Sequence, residues 1–148
     1  MTERPFTDQD LALRDGASIA VFKDRRVLLV KRGRAPFAGL WSLPGGKTEG
    51  DEAPREAACR ELKEETGIEA HVEGVVDTVR VAAEDDGSGK GVTYRLTVFY
   101  GRSTGGSLEA GGDAEAAEWV HLDDVEALAM TPGTAELIWI AAHRGRRP

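Results

Sequence analysis

Cysteine is all but missing from this chain: Cys59 stands alone among 148 residues. A single thiol excludes an internal disulfide and any metal site built from clustered cysteines. Histidine is scarce too, and His71, His121 and His143 are too scattered to pair at metal-ligand spacing. Long apolar runs are absent. The longest, Leu137 to Ala142, falls far short of the ~20 residues that a membrane-spanning helix needs. The opening Met1-Thr2-Glu3-Arg4-Pro5 lacks the apolar segment of a secretion signal, so the expected location is cytoplasmic. Basic residues are outnumbered, 19 against 26 acidic, for a net charge of −7. That balance disfavours nucleic-acid backbones and anionic membranes as partners. An acidic protein that handles phosphates then needs local cations or a metal ion to offset the repulsion.

What is present is globular: 41% hydrophobic and 30% charged residues are enough for one packed core. The expected organisation is a loose arm over residues 1–15, one domain over 16–143 and a basic tail over 144–148. Ala17 to Phe22 and Arg26 to Arg32 read as strands joined by the polar turn Lys23-Asp24-Arg25, a hairpin signal. Residues 33–39 read as a loop and 41–44 as a short extended piece. Residues 52–66 form the strongest helix candidate: Asp51 or Glu52 is placed to cap it, Pro54 suits its first turn and Gly67 its end. Further strands are expected over 70–82, over 92–100, where Val92, Tyr94, Leu96, Val98 and Tyr100 share a face, and over 119–121. Loops are expected over 83–91 and 103–112, and a short helix over 122–128. Thr131-Pro132 reads as the cap and first position of a last helix running to His143. Strands lie before, between and after helices, so the fold class is an α/β sandwich on a mixed sheet.

The 52–66 helix carries the chemistry. At ~100° per residue, Glu64 and Glu65 flank Glu61 at about 60° and 40°, so three carboxylates share one face. Like charges at that spacing weaken a helix, whereas a hard divalent cation turns the repulsion into coordination. Alone, such a face reads as merely solvated. Ala58, Cys59, Leu62 and Thr66 form a small apolar stripe on another arc, which anchors the helix. Arg60, four residues from both Glu56 and Glu64, is placed to hold those carboxylates. Ahead of the helix, Leu43-Pro44-Gly45-Gly46-Lys47 lets backbone approach a ligand closely, with the Gly45 carbonyl as a further oxygen donor. Lys47, Arg32 and Arg34 are candidate phosphate contacts, and Trp41, Phe37 and Tyr94 candidate stacking residues.

Residues 46–68 read Gly46, five residues, Glu52, seven residues, Arg60-Glu61-Leu62, Lys63, Glu64-Glu65, Thr66, Gly67-Ile68. This resembles the Nudix hydrolase signature at every specified position. The Leu-Pro-Gly-Gly entry and the later Glu118-Trp119-Val120 followed by Leu-Asp-Asp-Val-Glu fit the same family. The resemblance implies an α/β/α Nudix sandwich and Mg²⁺- or Mn²⁺-dependent hydrolysis of a nucleoside diphosphate linked to another group. It implies Gly45, Glu61, Glu64 and Glu65 as metal ligands, Arg60 as their orienter and Glu52 as a brace. Glu64, or an acid from a later loop, Asp113 or Glu115, would take the proton from the attacking water. ADP-ribose specialists of the family often carry a proline past the signature. None lies between Pro54 and Pro132, which leans the reading towards (oxidised) nucleoside triphosphates over ADP-ribose and nucleoside diphosphate sugars. A nucleotide-sensing module without turnover is the rival class. A small-molecule nucleotide is thus the expected partner, and edge strands or the apolar last helix are the surfaces a homodimer would use.

Overall fold

The computed structural model describes residues 12–35, 37–83 and 92–145. Residues 1–11 of the expected arm, 84–91 of the expected loop and 146–148 of the expected tail lie outside them. Seven strands form one mixed sheet: β1 (Ala12–Lys23), β2 (Arg26–Arg32), β3 (Trp41–Ser42), β4 (Gly45–Lys47), β5 (Ile68–Ala83), β6 (Val92–Gly106) and β7 (Ala114–His121). Two α-helices, α1 (Pro54–Thr66) and α2 (Thr134–Gly145), and a 3₁₀ turn over Leu122–Ala127 are the other elements among the described residues. The main path runs β3-β2-β1-β6-β5, with β4 added to β1 and β7 to β2. Among the described strands β1 and β6 pair in parallel and the other ladders are antiparallel.

Strand alternation sends side chains to opposite faces, and both faces are covered. Ala17, Ile19 and Val21 of β1, Leu28 of β2 and Phe99 of β6 pack with Ala57, Ala58 and Leu62 of α1. Ala20, Val27, Leu29, Val98 and Tyr100 pack on the other side with Ile138, Ala141 and Ala142 of α2. The sheet is thus the filling of an α/β/α sandwich. Leu62 is wholly buried in the α1-side cluster. Leu62→Ala is expected to cost about 2–5 kcal/mol of unfolding free energy, read by denaturant titration.

Several boundaries differ from the sequence reading, each for a physical reason. β1 reaches back to Ala12 because the parallel ladder with β6 continues through Ala12↔Val92. β6 runs on to Gly106, through part of the expected 103–112 loop, because β5 pairs with it from Ile68 onward. β7 is longer than 119–121, since residues from Ala114 on pair with β2. The cap of α1 is Ala53, and the carboxylate of Glu56 reaches back to accept the Ala53 N–H at 3.0 Å. The cap at Gly67 matches the reading: its φ of 75° suits the left-handed end of α1. Thr131-Pro132 does not open α2. Gly133 at φ 81° bends the chain first, Thr134 N–H donates to the Thr131 carbonyl at 3.2 Å, and the helix starts at Thr134.

Candidate functional site

β4 pairs alongside β1 and also touches α1. Ile19 N–H donates to the Pro44 carbonyl and Thr48 N–H to the Asp15 carbonyl, which sets the antiparallel register. In that register Gly45 faces Ser18 in a pair without direct hydrogen bonds, so its N–H and C=O both point away from β1. The N–H donates to Glu65 Oε1 at 3.0 Å. Crowding against β1 backbone forces glycine at Gly45, while at Gly46 the neighbour is the end of the Glu61 side chain. A Cβ on Gly45 would lie 2.3 Å from the Ala17 carbonyl oxygen, and one on Gly46 would lie 2.6 Å from the Glu61 carboxyl carbon. Backbone is therefore pressed directly against two acidic side chains of α1.

Arg60 collects the remaining charge. Its Nε and Nη2 bind Glu52 at 2.8 and 3.0 Å, a two-pronged pair. Its Nη1 binds Glu61 at 2.9 Å and Glu64 at 3.2 Å, and its Nη2 also donates to the Lys47 carbonyl at 3.0 Å. The expected Arg60–Glu56 pair does not form, because Glu56 is spent on the helix start and Glu52 folds back to take the guanidinium. The hydrogen bond to Arg60 holds the Glu52 carboxyl below the usual carboxylate range.

Glu65 departs from the picture of an exposed acidic face: it is 9% exposed. Burial pushes its carboxyl up to about 8, the Gly45 N–H opposes this, and the negative charges of Glu61 and Asp113 add to the rise. Glu61 is also raised, first by burial, with Arg60 working against it and Glu64 and Glu49 adding to it. Glu64 is more than half exposed. Among the described residues, no three acidic, imidazole or thiol side chains close on one point at metal-ligand spacing. Glu61 and Glu64 turn to Arg60, and Glu65 turns to Gly45.

The donor set still suits a hard divalent cation. All the donors are oxygen, two of the carboxyls are held above their ordinary range first by burial and then by neighbouring carboxylates, and the Gly45 carbonyl faces the same side as its N–H. Those are the marks of a place where a cation would be stabilised.

A shallow cleft lined by Gly33, Arg34, Gly112, Asp113, Ala114 and Glu115 opens at the C-terminal end of α1. Asp113 pairs with Arg34 at 3.2 Å, and both are largely exposed. Asp113 and Arg32 both lie near enough to Glu65 to act on it electrostatically. Glu115 lies on the same cleft, where β7 bulges past Lys31 and Arg32 of β2. The fold thus brings Glu52, Arg60, Glu61, Glu64, Glu65 and Gly45 into one neighbourhood, with Asp113, Glu115, Arg32 and Arg34 beside it. Lys47 divides: its carbonyl joins the Arg60 network, while its ammonium sits 5.7 Å from the Tyr94 ring beside Arg14 and Thr48. Trp41 is placed elsewhere, packed on the α2-side core. Phe37 is half exposed on the β2–β3 loop, and Cys59 packs partly buried against the α1-side core. Gly111 stands at the same edge, donating its N–H to the Glu65 carbonyl at 3.1 Å, and no motif in the sequence marks it. Its one signal was the Gly111-Gly112 pair standing directly before Asp113.

A family model described as NUDIX domain matches residues 12–138. The ADP-ribose pyrophosphatase of Methanocaldococcus jannaschii is 39% identical over 108 residues, which is 73% of this chain and 62% of that protein. This chain therefore spans less than two thirds of that relative's length. A putative 8-oxo-dGTP diphosphatase 2 of Mycobacterium tuberculosis is 36% identical over 123 residues, 82% of each chain. The crystal structure of a MutT NUDIX hydrolase from Burkholderia pseudomallei superposes with a TM-score of 0.70 at 32% identity, covering 86% of this chain and 96% of that one. Among the described residues no helix is long and apolar enough to cross a membrane.

Proposed function

Because the chain belongs to the Nudix family, we propose that it is a Mg²⁺-dependent pyrophosphohydrolase cleaving a nucleoside triphosphate, oxidised forms included, to the monophosphate and pyrophosphate. The observation that carries this reading is the set of carboxylates on one turn of α1, with Gly45 and Gly46 pressed against two of them. A diphosphatase relative matched over 82% of both chains favours triphosphates. The ADP-ribose pyrophosphatase relative supports ADP-ribose as a second reading.

Glu61, Glu64, Glu65 and the Gly45 carbonyl would hold the cation. Bound there, Mg²⁺ would neutralise pyrophosphate oxygens and make water a stronger nucleophile near neutral pH. Arg60 keeps Glu61 and Glu64 from swinging away and ties them to Glu52 and the β4 backbone. Arg32 and Arg34 supply positive charge to phosphate oxygens in an otherwise acidic protein, whereas the Lys47 ammonium, expected to join them, is turned away to the Tyr94 ring. An incoming phosphate competes with Asp113 for the exposed Arg34 guanidinium. Asp113, released from that pair, takes the proton of the attacking water. Glu115, on the same cleft, is the alternative acceptor.

A phosphate-release screen coupled to a pyrophosphatase or a phosphatase, which converts the products to inorganic phosphate, tests the proposal: nucleoside triphosphates, their 8-oxo forms, ADP-ribose and dinucleoside polyphosphates, each with and without Mg²⁺. Turnover of triphosphates that stops without Mg²⁺ is the expected result. Preference for ADP-ribose would establish the second reading. Ligand-stabilised melting with no product across the panel would reject hydrolysis in favour of a sensing role.

A further inference from the structure

The acidic turn of α1 and the loop carrying Asp113 are joined by main chain. Gly111 N–H donates to the Glu65 carbonyl at 3.1 Å, and Glu109 N–H to the Thr66 carbonyl at 2.8 Å. Both bonds serve carbonyls at the end of a helix, which have no partner within it. The approach at Gly111 is too close for any side chain: a Cβ there would lie 2.6 Å from the Glu64 carbonyl oxygen. From Gly111 the chain turns at once, with Ala114 N–H donating to the Gly111 carbonyl at 3.0 Å. Asp113 lies inside that turn. Its own carbonyl accepts the Gly33 N–H at 3.1 Å, where β2 ends. Asp113 is thus gripped on one side by α1 and on the other by β2, with main-chain bonds at both grips. Glu115 is held differently, by the β2–β7 ladder around it.

We infer that Gly111 is the positioning residue that sets the Asp113 carboxylate against the acidic turn of α1, its missing side chain fixing how closely the loop can dock. The inference rests on the proposed hydrolysis, with Asp113 as the proton acceptor. A side chain at Gly111 pushes the loop off the Glu64–Glu65 backbone and carries Asp113 with it. Small displacements of a catalytic group are costly, on the order of 10²-fold for 1 Å. Docking of substrate on Arg32, which belongs to β2, is left largely unchanged.

The test compares wild type, Glu65→Gln, Gly111→Ala, Asp113→Asn and the double variant Gly111→Ala/Asp113→Asn. The readouts are kcat and KM against pH, with Mg²⁺ and either a nucleoside triphosphate or ADP-ribose. Gly111→Ala is expected to lower kcat about 10- to 100-fold with KM within about twofold, and to alter the acid limb of the kcat profile. In the Asp113→Asn background it should cost nothing more, because the group it positions is already gone. Gly33→Ala is the second variant, should Gly111→Ala fold poorly. Its Cβ would press on the Asp113 carbonyl oxygen at 3.0 Å without touching α1. It should show the same signature, smaller and equally silent without Asp113. Losses that multiply in the double variant, a change confined to KM, or full activity of Asp113→Asn would each overturn the inference. A wild type that hydrolyses nothing would instead overturn the proposed function.

Discussion

Glu65→Gln is expected to abolish Mg²⁺-dependent hydrolysis and at the same time to stabilise the metal-free protein above neutral pH. The two effects share one cause. Glu65 is buried beneath β4, and that burial lifts its carboxyl from 4.5 to about 8. Between those values the folded protein holds a proton that the unfolded chain has released. Stability contributed by this group is therefore complete below about 4.5 and is lost as pH rises through about 8. The loss amounts to roughly 2–4 kcal/mol, discounted because the group is not wholly shielded. Glutamine cannot ionise, and its amide oxygen still accepts the Gly45 N–H. The melting temperature of the variant in EDTA should therefore stay flatter from pH 5 to pH 9 while that of the wild type falls. Parallel curves would show that Glu65 is not the titrating group. For activity, losing the buried carboxylate should cost at least about 10²-fold, beyond the range of most outer-shell changes. Mg²⁺ added at alkaline pH should recover wild-type stability and leave the variant nearly unchanged, since only a ligand that binds the folded state shifts melting.

Arg60→Lys is expected to behave nearly as badly as Arg60→Ala, although it keeps the charge. Arg60 serves five acceptors at once: both oxygens of Glu52, one each of Glu61 and Glu64, and the Lys47 carbonyl. Only a planar fork spans that set; an ammonium reaches one or two of its members. Without it, partly buried Glu61 faces Glu64 and Glu49 uncompensated. The expected destabilisation is roughly 1–3 kcal/mol, below the cost of breaking a fully buried pair because the rim of the cluster is wet. Hydrolysis should fall about 10- to 100-fold, with a higher Mg²⁺ requirement, since Glu61 and Glu64 lose their orientation. Denaturant titration and a Mg²⁺ dependence of kcat measure both. A lysine variant with wild-type Mg²⁺ dependence would reduce Arg60 to a surface charge.

The contrast between Arg60 and Glu65 shows what the sequence made legible. Helical spacing is local information, so α1, the glycine that ends it and the shared face of Glu61, Glu64 and Glu65 could be read from 3.6-residue periodicity. The β2 strand is legible as the short continuous apolar run Val27-Leu28-Leu29-Val30, as a strand covered on both faces requires, and the inner stretch of β6 as alternation. Burial of Glu65 is not local. It arises because β4, about twenty residues earlier, and the loop near Gly111, far later, both close over one turn of α1. Of the two partners expected for Arg60, Glu64 forms and Glu56 does not, for a similar reason: Glu56 is the nearer residue along the helix, but Glu52, outside it, folds back into reach. At Thr131-Pro132 the cap grammar was sound, but the positive φ of Gly133 intervened. Trp41 was read as a stacking candidate from its residue type, and type says nothing about which face of the sheet it lies on.

The main-chain joint between α1 and the 107–113 loop has a consequence for redesign. Ser107, Leu108, Glu109 and Ala110 are all exposed, and the bonds that fasten this stretch to the helix come from backbone N–H groups. Side-chain identity is thus uncoupled from anchorage over these four positions. A combinatorial library there, with Gly111 left untouched, should change the side-chain chemistry of the surface beside the end of α1 without moving the carboxylates of that helix.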